Sequence, residues 1–152
     1  MKTIQLMFEH SNWANEHLLL HLQNTKGNYY EVIELFAHIL HAEQVWLCRL
    51  KNTDSSHIQL WGNTSLERCE EQWQDNKIQL EKYLQYITEK DMEKVISYQN
   101  SKGKEFQSTV GEILTHLCLH GQYHRGQINK KLREMIAEPI NVDFITYARK
   151  EY

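Results

Sequence analysis

His116, His120 and His124 stand at i, i+4 and i+8 within residues 115–127. On a helix, steps of four keep side chains on one face, drifting about 40° each time. Ile113, Leu117 and Ile128 share that face, so it is apolar. Imidazoles that face a core need partners, and a divalent metal is a good one. A structural metal takes four protein ligands, whereas a catalytic one takes about three and keeps a position open. His116 and His124 are about 12 Å apart along a helix axis, too far to share an ion easily. The helix therefore offers either His116/His120 or His120/His124, and a further ligand must come from elsewhere.

The elements that must hold these residues read as helices separated by short polar breaks. The first spans residues 2–23, with Ile4, Met7, Ser11, Ala14, Leu18 and Leu22 as its stripe. Residues 24–28 break it. The second spans residues 30–50, with Leu35, His38, Ile39, Ala42, Trp46 and Leu50 inward. A longer connection follows to residue 63. A capping-box pattern at residues 64–67 opens a third helix to about Ile87. Residues 95–99 are β-prone, residues 100–103 supply a turn and residues 104–107 return, as a short hairpin or an extended loop. A second capping box, Thr109 to Glu112, starts the fourth helix, which runs to about Met135. Pro139 stops it, and residues 143–150 suggest a short terminal helix. This pattern predicts an all-α protein: one four-helix-bundle domain over residues 1–152, with a long crossover and a short hairpin before the fourth helix.

On the second helix His38 lies within the apolar stripe, between Leu35 and Ala42, while His41 flanks it. Geometry makes His38 the best third ligand. His10, His17 and His21 lie on the first helix, the last two also at i, i+4, and His57 in the polar crossover reads as solvated. The competing reading is a set of hydrogen-bonded core histidines without metal. No HExxH motif is present, which excludes a zincin protease.

Composition narrows the function classes. Hydrophobic residues are 41% and charged residues 24% of 152, normal for a globular protein. A net charge of −3 with scattered basic residues gives no electrostatic case for nucleic-acid binding. The cluster Lys130-Lys131-Leu132-Arg133 reads as favourable charge at a helix C-terminus. Cys48, Cys69 and Cys118 form no CxxC pair, and three cannot build a disulfide framework. No apolar run approaches 18 residues and no secretory h-region opens the chain, so a cytoplasmic location without membrane partners is expected.

Several segments resemble one family. His120-Gly121-Gln122-Tyr123-His124-Arg125-Gly126-Gln127 is similar to the H-x-x-x-H-R-G-Q motif of the DinB/YfiT-like superfamily. His38 to Trp46 resembles its H-x-x-x-A-E-x-x-W segment, and Asn12-Trp13-Ala14-Asn15 its N-x-W-A-N pattern. Residues 98–103 resemble its turn before the last long helix, and Asp143 to Tyr147 its D-x-x-x-Y segment. The resemblance runs in order over nearly the whole chain. It implies a four-helix bundle, commonly a homodimer, with a divalent metal held by His38, His120 and His124. His116 and His41 then become neighbours of the site.

The resemblance also implies chemistry, because characterised branches of the superfamily are similar to thiol-dependent enzymes. A metal-dependent S-transferase is expected, adding bacillithiol or a similar low-molecular-weight thiol to an electrophile. The ion would be zinc or nickel, since imidazole suits both and carboxylate ligands are lacking. Glu43, one turn from His38, is a candidate proton acceptor or an ion-pair member. Arg125 is a candidate for holding a carboxylate of the thiol, or for bracing the bundle against one. The alternatives are a non-catalytic bundle stapled by metal and a metal-dependent hydrolase.

Overall fold

The structure is a computed structural model that describes every residue except 26, 28, 63, 101, 136 and 150–152. Four long helices are present: α1 Lys2–Asn24, α2 Tyr30–Leu50, α3 Leu66–Tyr86 and α4 Val110–Glu134. A 3-10 turn, Glu89–Glu93, follows α3; strands β1 Val95–Gln99 and β2 Glu105–Thr109 precede α4; and a short helix α5, Phe144–Ala148, comes last. The predicted all-α bundle is therefore present, as is the hairpin. Five positions of the expected breaks, turn and ends (Lys26, Asn28, Asn63, Ser101 and Lys150) lie outside the described residues. Among the described residues no helix is long and apolar enough to cross a membrane.

Local chemistry sets the helix starts. At α4 the Thr109 hydroxyl accepts from Glu112 N at 3.2 Å, and the Glu112 carboxylate accepts from Thr109 N at 2.7 Å. This is the expected reciprocal box, which satisfies two otherwise orphaned N–H groups. The expected box at α3 lies one residue later, as a simple cap: Ser65 accepts from Arg68 N at 3.3 Å.

The hairpin pairs Val95 with Thr109 and Gln99 with Glu105. Its turn is organised by Asn100, whose side-chain oxygen accepts from Lys102 N and Lys104 N at 2.9 and 3.0 Å. Gly103 takes φ +74° there, a left-handed conformation that glycine adopts without a Cβ clash. Val110 N donates to Lys94 O at 2.9 Å, so the hairpin fixes where α4 begins. Tyr98 meets Trp46 edge-on at 4.9 Å and docks the hairpin on α2.

α2 packs on α3 and α4, and α1 packs on the same two helices, so α1 and α2 occupy opposite corners. The core is divided along its length. One apolar cluster contains Leu18, Leu40, Trp73 and Ile128, and the other Phe8, Leu47, Leu80 and Cys118. Between them lies a layer built from a buried polar residue of each helix, Asn15, Glu43, Asn76 and Arg125. This layer is linked internally. Arg125 Nη1 donates to Asn15 Oδ1 at 2.8 Å, Asn15 Nδ2 to Glu43 at 3.4 Å, and Asn76 Nδ2 to Glu43 at 3.0 Å. A Cβ at position 121 would lie 3.0 Å from Arg125 Nη1, so Gly121 leaves room for the guanidinium.

Candidate metal centre

α2 presents His38 toward α4, which presents His120 and His124 one turn apart. Ligand nitrogens of these three residues all lie within 4.8 Å of one another, forming the one such group among the described residues. Ring centroids are 5.1 Å apart for His38–His120, 4.6 Å for His38–His124 and 4.5 Å for His120–His124. His38 and His124 are buried, and His120 is half-buried.

The hydrogen bonds around the rings define which nitrogens face inward. His38 Nδ1 lies 3.1 Å from Leu60 O, and a carbonyl can only accept, so Nδ1 carries the proton. His124 Nδ1 lies 2.7 Å from the Gln127 side-chain oxygen, which assigns its proton in the same way. Both Nε2 atoms are thereby left as acceptors, that of His124 facing His120 Nε2, and such outer partners are what metal-bound histidines use. His124 Nε2 and His120 Nε2 are 3.2 Å apart. Two ligands on one tetrahedral ion with bonds of 2.0–2.1 Å would be about 3.3 Å apart. The His120–His124 pair is thus spaced as two ligands of one divalent ion would be, and His38 places a third donor within 4.8 Å of both. The indole of Trp61, from the crossover, stacks on His38 at 3.8 Å and 11° and holds that ring from outside.

Burial lowers the pKa of His38, and that of His120 falls to about 4 through burial first and the neighbouring rings of His124, His38 and His116 second. His10, His41 and His116 are lowered by burial too. Depressed histidine pKa values mean that the unfolded chain binds protons more readily than the folded one. Their contribution to stability is complete above the ordinary pKa of 6.5 and is lost as pH falls through the folded values. Melting temperature in chelator should therefore fall steadily from pH 7 to pH 4.5, and a flat profile would contradict these environments.

His116 is outside the ligand group. Its ring lies 5.4 Å from His120 and 5.3 Å edge-on from Trp46. The second i, i+4 pair builds no ligand group: His17 Nδ1 donates to Trp13 O at 2.8 Å, and His21 Nε2 is buried without a partner. His57 is exposed, 3.8 Å from Asp54. Trp13 and Tyr147 pack with His10 and His17 where α5 meets α1. Glu43 and Arg125 sit in the polar layer, fully enclosed, with Arg125 1% exposed. Sequence reading missed Leu60, Trp61 and Gln127 around the histidines. Only Gln127 left a signal, three residues after His124 and inside the motif.

The DinB family model matches residues 2–152. The chain belongs to the DinB family. A curated relative, Protein DinB of Bacillus subtilis (strain 168), is 26% identical over 147 residues, covering 84% of this chain and 83% of the relative. A crystal structure of a DinB-like protein from Bacillus cereus ATCC 10987 is 16% identical, covers 90% of this chain and 95% of its own, and superposes with a TM-score of 0.62. That likeness concerns the fold. The family places the three-histidine group within a DinB bundle and leaves the reaction to be argued from the site.

Proposed function

We propose that this DinB-family protein is a metal-dependent thiol S-transferase, joining a low-molecular-weight thiol such as bacillithiol to an electrophile. The observation that carries the reading is an all-imidazole donor set, His38, His120 and His124, with no carboxylate in the group. Three neutral ligands leave a zinc or nickel ion its full charge and a position for substrate. When bound, such an ion supplies acidity to a thiol and so makes it nucleophilic. The chain's own residues hold the donors in place: Leu60 and Gln127 fix two tautomers, and Trp61 limits the movement of His38.

The chain's buried sulfurs are poor candidates for the nucleophile. Burial pushes the Cys69 and Cys118 thiols up to about 12, so both stay protonated at neutral pH. In this reading the reacting sulfur is a cosubstrate's, because no cysteine belongs to the histidine group. It forms a C–S bond with the electrophile as the leaving group departs with its electron pair and the thiol proton goes to solvent. The reading includes the homodimer that the motif resemblance implies and, with three free cysteines, a reducing cytoplasmic setting.

Metal-loaded protein should conjugate bacillithiol to monochlorobimane well above the rate of a His120→Ala variant. Equal rates would sink the transferase. A second reading rests on the ligands coming from two helices, which lets a metal staple α2 to α4. A chelator-sensitive fold that turns over no thiol–electrophile pair would favour it. Ester or amide cleavage without thiol would instead assign a hydrolase.

A further inference from the structure

Arg125 is enclosed in the polar layer, so a carboxylate on the substrate needs another cation. The geometry points to Arg49. A groove of about 1460 Å³ lies between the crossover and the hairpin, with Val45, Leu60, Tyr98 and Arg49 in its wall. At Leu60 it adjoins the metal centre, because that residue's carbonyl accepts from His38. The Arg49 guanidinium carbon lies 4.4 Å from the Trp46 ring centroid and 4.8 Å from that of Tyr98. Its Nη2 donates to Gln99 O at 3.0 Å. This is the one hydrogen bond of Arg49 recorded among the described residues, and no acidic side chain there pairs with it.

Two acids line the same groove, and both are occupied. Asp54 accepts from Ser56 N and Oγ at 3.0 and 2.8 Å, and Glu105 accepts from Gln99 Nε2 at 3.5 Å. Arg49 is therefore a planar donor fork packed against two aromatic rings, with N–H groups left over. Such a fork matches a carboxylate in bidentate fashion, and its fixed position reduces the entropy lost on binding. Eleven residues along α2 separate Arg49 from His38, about 16 Å along the axis. Trp46 lies between them in the sequence of α2, and its ring meets His116 at 5.3 Å.

We propose that Arg49 anchors a carboxylate of the thiol cosubstrate in this groove, so that the preferred thiols are elongated and anionic. The identity of the ligand rests on the thiol-transfer reading above; the anion site itself does not need turnover. The test uses chelator-treated full-length protein titrated with S-methylglutathione and with its diethyl ester, read by calorimetry and by tryptophan fluorescence. The acid should bind at least tenfold more tightly than the ester. Arg49→Gln should remove that preference and leave ester affinity unchanged. Arg49→Lys, which keeps the charge and loses the fork, should show an intermediate preference, and it decides the matter if Arg49→Gln does not fold. Equal affinity of acid and ester, no binding of either, or a full preference surviving in the variants overturns the proposal. A preference without any conjugation leaves the anion site standing and removes the transferase. Conjugation of neutral and acidic thiols at equal rates does the reverse.

Discussion

His124→Ala protein is expected to lose stoichiometric metal, with affinity falling by more than about 100-fold, the upper end of what outer-sphere changes cost. The reason is geometric. His124 Nε2 lies 3.2 Å from His120 Nε2 and its ring 4.6 Å from that of His38, so it contacts both other donors. Removing it leaves two ligands on different helices. Gln127→Ala keeps all three imidazoles and frees only the His124 Nδ1 proton, so a loss of about 10–100-fold is expected. His116→Ala should bind metal normally, because that ring is outside the group. Elemental analysis of purified wild type, His38→Ala, His124→Ala and His116→Ala gives the order directly. Full metal in the His38 or His124 variant would refute the site. The same ion should stabilise the fold by about 4 kcal/mol when present at a thousand times its Kd. For a domain this size, chelation should then lower Tm by about 8–16 °C, and the His124→Ala variant should show no such response.

Helical periodicity narrowed the ligand set to two alternatives, His116/His120 or His120/His124 with His38, and the resemblance to the H-x-x-x-H-R-G-Q motif chose the second. The i, i+4 spacing of His120 and His124 is fixed by backbone geometry, and His38 lay on an apolar stripe that had to face inward. What fixes the rings was not legible. Leu60 and Trp61 reach His38 through the path of a non-periodic crossover, and no local rule determines such a path. The hairpin was ambiguous for a related reason: five β-prone residues acquire a strand only when a partner pairs with them, and here the Asn100 turn sets that register. The four-residue polar layer escaped notice because Asn15 and Asn76 are unremarkable in a linear stripe. They become significant only when four helices bring one polar residue each to the same level.

Arg125→Met is expected to destabilise the fold by about 3–5 kcal/mol, lowering Tm by about 6–20 °C. Burial alone raises the pKa of Glu43, while its bonds to Asn76 and Asn15 and the Arg125 charge lower it again. Burial lowers Arg125 only to about 10, so its charge persists at neutral pH. Without that charge the Glu43 carboxylate is left buried with two neutral amide donors. Its folded pKa then rises further above the unfolded value. A raised acid pKa gives stability that is present below about pH 4.5 and lost as pH rises, so the variant's deficit should grow between pH 4.5 and pH 7. Removing both charges with Glu43→Leu/Arg125→Met should recover most of the loss, since a buried pair costs desolvation energy that an apolar pair does not. Chemical denaturation of the two single variants and the double variant measures this coupling. Additive losses would mean that Glu43 and Arg125 act independently. Because His124 precedes Arg125 on α4, the double variant also separates two roles for the layer. If metal affinity returns with stability, the layer supports the centre through the fold; if it stays low, Arg125 also sets the rotation of α4 that aims His124 at His38.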